Sequence, residues 1–309
     1  MINVLFSAKE HNWQQYKDVI PAACHQLDLD VRLSRDLAEA DVDYIVYAPN
    51  KSLSDFTPFT RCKAVLSLWA GVETIAPNST LTQPLCRLVD PGLEQGMVEW
   101  VTGHVLRHHL GIDKHIAPTD HSWTPEPAPL ARSRRVTILG LGALGAACAK
   151  ALAGLGFQVA GWSRSPKQIE GVTCHSGDQG LHDALADTDI LVLLLPLTPA
   201  TTDIINERAL AIMPTGSVII NPGRGALIDD AALLSALDAG HISHATLDVF
   251  RVEPLPASDP YWHHPKVTVT PHIASETRPE TAAERIAENI RRGEAGEPFL
   301  NLVDRTRGY

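Results

Sequence analysis

A chain of 309 residues that is 44% hydrophobic and 20% charged is long enough for two domains and has a globular composition. A net charge of -10, with 14 histidines and no long basic tract, argues against nucleic acid or an anionic membrane as partner, and no run reaches the roughly 18 apolar residues of a membrane span. Five scattered cysteines, Cys24, Cys62, Cys86, Cys148 and Cys174, form no C-x-x-C pair and point to reduced, buried thiols in a cytoplasmic protein.

The N-terminal Met1-Ile-Asn-Val-Leu-Phe6 has no basic lead and no small-residue cleavage site, so it reads as a first β-strand. Short apolar segments at 2–6, 31–33, 44–47 and 65–68, separated by helical or loop stretches, predict a small parallel α/β unit. A long helix is expected over 92–110, with Met97, Val101, Val105 and Leu106 near one face. The proline-rich stretch 118–129 cannot continue it and is expected to lead the chain between domains.

From Arg135 onward the pattern sharpens. A strand at 136–139 precedes a small-residue helix at 143–155, closed by Gly156. Further strands are predicted at 158–161, 190–195, 218–220, 246–249 and 267–269, with helical stretches at 181–186, 207–212 and 229–239. This alternation predicts an α/β fold with a doubly wound parallel sheet. The alanine- and charge-rich helix at 278–293 is expected to return to the first domain, making it discontinuous.

Gly140-Leu-Gly142-Ala-Leu-Gly145 follows the strand and opens the helix, which is the context a dinucleotide fingerprint requires. Gly140 permits the turn, Gly142 admits a pyrophosphate, Gly145 allows close packing, and the helix N-terminus at Ala143 and Leu144 offers amides to the phosphates. About 20 residues on, where enzymes using NAD place a carboxylate for the ribose, stands Trp162-Ser-Arg-Ser-Pro-Lys167. Ser163, Arg164, Ser165 and Lys167 would welcome a 2′-phosphate, so NADPH is expected as the preferred cofactor, with NADH possible.

Three later residues complete a chemistry. Arg224 in Asn221-Pro-Gly-Arg-Gly225, Glu253 in Asp248-Val-Phe-Arg-Val-Glu-Pro-Leu-Pro256 and His272 in Thr270-Pro-His-Ile-Ala274 each follow a predicted strand. Doubly wound sheets bind ligands at that end. Hydride transfer to a 2-oxo acid needs a cation for the carboxylate, a proton donor at the carbonyl oxygen and a carboxylate to stabilise the charged donor. Arginine, histidine and glutamate supply these in turn.

These segments, with Leu195-Pro-Leu-Thr-Pro199, the stretch 262–273 and the C-terminal Val303-Asp-Arg-Thr-Arg-Gly-Tyr309, make the chain resemble the D-isomer-specific 2-hydroxyacid dehydrogenase family, most of all its glyoxylate/hydroxypyruvate reductase A branch. The resemblance implies a Rossmann NAD(P)-binding domain over 99–272. It implies a smaller flavodoxin-like substrate domain from 1–98 and 273–309, a closing cleft between the two, and a homodimer. It implies the roles argued above for Arg224, Glu253 and His272, and cofactor contacts from Pro196 and from Asp248 to the nicotinamide carboxamide. Backbone amides of Trp69, Ala70, Gly71 and Val72 would hold the substrate carboxylate.

The expected activity is reduction of glyoxylate and hydroxypyruvate to glycolate and D-glycerate, with His272 as proton donor. Trp69 and Pro222-Gly223 replace the branch's usual small or aliphatic residues and bear on substrate choice. The competing readings are a reductase of a bulkier 2-oxo acid and a dinucleotide-sensing corepressor. His108-His109 and His263-His264 lack metal-ligand spacing, and no metal is expected. Tyr47, Trp100 and Trp123 are candidates to line a substrate cleft, with core packing the favoured reading for each.

Overall fold

In the computed structural model, which describes residues 1–116, 123 and 125–305, the chain divides into two units, Met1–Leu93 with Glu276–Tyr309, and Glu94–Ser275.

The first unit begins with β1 (Ile2–Ser7), α1 (Glu10–Tyr16), α2 (Val19–His25), β2 (Val31–Ser34), β3 (Tyr44–Tyr47), β4 (Ala64–Ser67) and β5 (Leu85–Cys86). Its five strands lie in the order β2-β1-β3-β4-β5, and every pairing is parallel. That is the flavodoxin-like doubly wound order. β3 and β4 are buried along their whole length, as strands covered on both faces must be. The two-residue β5 is too short to show periodicity and was not among the predicted strands. Asp90 then caps α3 (Pro91–Leu110), its Oδ1 accepting from the Gly92 and Leu93 amides at 2.9 and 3.2 Å. α4 (Ile112–Ile116) follows.

The second sheet is built from β6 (Arg135–Leu139), α5 (Ala143–Gly154), β7 (Gln158–Ser163), β8 (Val172–Ser176), α6 (Gly177–Ala186) and β9 (Ile190–Leu193), then α7 (Glu207–Ile212), β10 (Ser217–Asn221), α8 (Asp230–Asp238), β11 (Ile242–Leu247) and β12 (Val267–Val269). The order β12-β11-β10-β9-β6-β7-β8 is parallel throughout and reverses direction of growth at β6. This is the Rossmann arrangement. The strand expected over 190–195 ends two residues early, because Leu194 turns away after its amide bonds the Leu139 carbonyl at 2.7 Å. β8 had no expectation, and its half-buried residues explain why the pattern hid it.

The last helix, α9 (Pro279–Ala295), buries Ala282, Ala283, Ile286, Ala287 and Ile290 against Val4, Phe6, Ile20 and Val46 of the first unit. Small residues let it lie close. A Cβ on Gly293 would stand 2.2 Å from the Tyr44 hydroxyl oxygen.

Tyr47 is buried against Phe56, as expected of a core residue. Trp123 is 96% exposed, which corrects its assignment to the core. Residues 117–122 and 124 of the proline-rich region, and 306–309 of the C-terminal motif, lie outside the described residues.

Candidate active site

The fingerprint loop stands at the point where the strand order reverses. β6 and β9 are neighbours, with Leu139 opposite Leu193, so the loops after them leave the same edge of the sheet side by side. Gly140 has φ 108°, and a Cβ there would fall 2.4 Å from the Leu194 carbonyl oxygen. Only glycine fits. At Gly145 a Cβ would lie 1.8 Å from the Gly140 carbonyl oxygen, so this glycine is needed for helix α5 to meet the turn.

Gly142 behaves differently: a Cβ there meets no protein atom within 4 Å. Packing within the chain gives no reason for that glycine, whereas a group resting on the N-terminus of α5 does. Ala143 is exposed and Leu144 half-buried at that terminus, where the first amides of a helix lack intrahelical partners. Pro196 follows β9, its carbonyl accepting the Thr201 hydroxyl at 2.7 Å. A dinucleotide fits this donor set.

β7 runs beside β6, and Gly140 donates its amide to the Trp162 carbonyl at 2.8 Å. The turn beyond β7 therefore abuts the fingerprint. Ser163 is buried and its hydroxyl donates to the Ser165 carbonyl at 2.8 Å, so it shapes the turn. Arg164, Ser165 and Lys167 are exposed there.

Arg224, Glu253 and His272 are 29 and 19 residues apart in sequence, yet they follow β10, β11 and β12, three consecutive strands of one parallel sheet. Parallel pairing brings their carboxyl ends to one edge. The Arg224 turn is fixed by Asn221, whose side chain accepts the Gly223 amide at 3.1 Å and donates to the Arg224 carbonyl at 2.9 Å. Arg224 is half-buried, and its Nη1 donates to the Gly223 carbonyl at 2.7 Å. Gly223 itself is tightly enclosed, with a Cβ position 2.8 Å from the Leu193 carbonyl oxygen.

Glu253 Oε2 lies 2.7 Å from His272 Nδ1. Its other oxygen accepts the Phe250 amide at 2.9 Å, which holds the carboxylate in its own loop. Half the His272 side chain is exposed and a third of Glu253's. The carboxylate thus orients the ring and leaves Nε2 as the second nitrogen.

Asp248 is fully buried, and three donors hold its carboxylate: the Thr270 hydroxyl at 2.5 Å, the Ile273 amide at 2.9 Å and the Ala274 amide at 2.8 Å. It grips the loop on both sides of His272. Nothing local in the sequence marks this grip: Asp248 and Thr270 stand one residue past the paired ends of β11 and β12, where Leu247 lies opposite Val269.

In the first unit, Trp69 stands just past β4 and is 42% exposed. Ser67 braces this turn, exchanging hydrogen bonds with the Trp69 amide and carbonyl at 3.0 Å each. Ala70 and Gly71 are half-buried and Val72 is buried. Among the described residues, no group of three or more His, Cys, Asp or Glu is placed to hold a metal ion, and no helix is long and apolar enough to cross a membrane.

A doubly wound nucleotide fold with an imidazole–carboxylate pair and an arginine at its ligand edge defines a dinucleotide-dependent oxidoreductase. Residues 103–274 match the model of the D-isomer specific 2-hydroxyacid dehydrogenase family, NAD binding domain. The chain is 39% identical over 282 residues to a glyoxylate/hydroxypyruvate reductase A of Yersinia enterocolitica, covering 89% of each chain. It superposes with TM-score 0.91 and 43% identity on a D-isomer specific 2-hydroxyacid dehydrogenase of Xanthobacter autotrophicus in complex with NADPH and MES, over 100% of this chain and 99% of that one. An NADPH-dependent glyoxylate/hydroxypyruvate reductase of Sinorhizobium meliloti, in complex with NADP and sulfate, superposes at TM-score 0.86 with 34% identity and full coverage of both chains. This chain belongs to the D-isomer specific 2-hydroxyacid dehydrogenase family.

Proposed function

We propose that the protein reduces glyoxylate and hydroxypyruvate to glycolate and D-glycerate with NADPH, His272 being the proton donor. The observation that carries this reading is the 2.7 Å contact between His272 Nδ1 and Glu253 Oε2, at the sheet edge that also bears Arg224. The names of the Yersinia and Sinorhizobium relatives, and the NADPH and NADP in the two solved structures, support it.

When bound, NADPH supplies the hydride. Arg224 holds the substrate carboxylate through its planar fork. With Nδ1 engaged by Glu253, Nε2 of His272 gives its proton to the carbonyl oxygen as negative charge develops there, so the 2-oxo acid becomes a 2-hydroxy acid. Glu253, its other oxygen held by the Phe250 amide, keeps the ring oriented for the transfer. Asp248 holds the His272 loop, and what lone-pair capacity remains on its carboxylate serves the nicotinamide carboxamide.

The amides of the 140–145 loop take the pyrophosphate, and Arg164 with Lys167, on the turn shaped by Ser163 and Ser165, takes the 2′-phosphate. Ala70, Gly71 and Val72, beside Trp69, offer amides to a carboxylate. The reading takes the protein as a homodimer and assigns dinucleotide binding to 99–272 and substrate binding to 1–98 with 273–309.

The half-exposed Trp69 ring favours a second reading, a bulkier 2-oxo acid. Loss of reduced-nicotinamide absorbance, followed with glyoxylate, hydroxypyruvate, pyruvate and phenylpyruvate, separates the two. Fast NADPH-dependent turnover of the first pair is expected. Preference for phenylpyruvate would replace the proposed substrates, and no turnover with any acid would remove the reductase reading.

A further inference from the structure

Arg251 has no part in the scheme above, yet it joins the turns that carry Arg224 and Glu253. Its Nη2 donates to the Asp203 carboxylate and to the Ile228 carbonyl, and its Nε pairs with Asp230 Oδ2 at 3.1 Å. The other Asp230 oxygen accepts the Tyr261 hydroxyl at 3.0 Å. Asp203 donates its amide to the Ala226 carbonyl at 2.9 Å, so this partner stands on the short 3-10 turn Gly225–Leu227 that follows Arg224.

That turn presses directly on the loop of Glu253. A Cβ on Gly225 would lie 2.0 Å from the Phe250 carbonyl carbon and 2.4 Å from the Arg251 nitrogen. The Phe250 amide is in turn the donor that holds Glu253 Oε1 at 2.9 Å. One arginine with three acceptors therefore spans 203, 228 and 230 from the base of the loop that aims Glu253 at His272. A single exposed ion pair contributes little. A guanidinium fork shared among several acceptors sets geometry as well as energy.

We infer that Arg251 is a positioning residue that locks the Glu253 loop to the Arg224 turn and so holds the carboxylate on His272. This rests on the proposed role of Glu253. Steady-state kinetics of Arg251→Met, Arg251→Lys, Glu253→Gln and the double variant Arg251→Met/Glu253→Gln test it, with melting temperatures to verify folding. Arg251→Met is expected to lower kcat about tenfold, since small misplacements of reacting groups are costly, while KM for NADPH stays within about twofold. Arg251→Lys recovers part of the loss. The double variant falls no more than about twofold below the worse single variant, because both substitutions disturb one contact.

Wild-type kcat in folded Arg251→Met, an equal loss in NADPH binding, or losses that multiply in the double variant would overturn the inference. Wild-type kcat in Glu253→Gln would instead remove the role of Glu253 and the lock with it. Should Arg251→Met not fold, Asp203→Asn, which weakens one acceptor, decides by the same criteria with an expected loss of about threefold.

Discussion

His272 sits at φ 56°, a left-handed conformation that residues with a side chain seldom adopt. Its neighbours over-determine it: its amide bonds the Asp248 carbonyl at 2.9 Å, and the Asp248 carboxylate takes the next two amides. Strain held in this way is a feature of functional sites. With Glu253 paired to Nδ1, the ring is held with Nε2 as its second nitrogen. Glu253→Gln weakens that orienting contact. Its kcat is expected to fall about tenfold or more while KM for NADPH stays within about twofold, and an unchanged kcat would take Glu253 out of the proton transfer. Arg164→Ala is expected to raise the Kd for NADPH at least about tenfold, the scale of one charge-assisted contact, and that for NADH far less. Equal losses, measured by fluorescence titration, would mean that Arg164 does not read the 2′-phosphate. Residue types and strand ends made Arg224, Glu253 and His272 legible from sequence. Arg251 was not, because its acceptors lie 48 and 23 positions away and no local pattern marks them.

Helix α3 carries a second set of histidines that the chemistry does not use. His108 Nε2 is 2.8 Å from the Thr246 hydroxyl of β11, and its ring lies 5.0 Å from that of His244. His244 reaches the Thr268 hydroxyl of β12 at 2.9 Å. Burial, followed by His244 and Arg107, pushes His108 down to about 3, and burial also lowers His104 and His244. In the unfolded chain histidine titrates near 6.5. Between about 3 and 6.5 the unfolded state therefore binds more protons, and stability falls as pH falls. The contribution is complete above about pH 6.5, each unit of displacement being about 1.4 kcal/mol. Urea unfolding is expected to give a lower free energy at pH 5 than at pH 7, with a shallower dependence in His108→Gln. Equal pH slopes in the two proteins would show that His108 is not the buried group responsible. In the sequence the doublet His108-His109 shows only that it lacks metal-ligand spacing. Its first member closes α3 against the sheet, and its second packs on Phe157 at 4.9 Å.

Each unit has its own cores. Val4, Phe6, Tyr44 and Ile286 anchor one in the first, and Phe56, Phe59 and Leu81 another. Leu193, Leu210, Leu233 and Leu247 form one in the second, and Val105, Ile138, Leu152 and Ile220 its other. NADPH at about 100 times its Kd is expected to add about 2.7 kcal/mol to stability. Hydrogen exchange should slow first in 140–145 and 163–167; protection absent from both segments would contradict the proposed cofactor site. Two parallel α/β layers, the fingerprint and the trio were all readable in the chain because periodicity, glycine placement and strand ends are local properties. The C-terminal helix could be predicted, but its neighbours were settled only by the fit of its alanine face to α2 and the first unit's sheet. The tertiary structure likewise decided that Asp248 grips the His272 loop and that Arg251 bridges Asp203, Ile228 and Asp230. Those contacts join residues far apart in sequence, and parallel pairing of β10, β11 and β12 is what brings their loops to one edge.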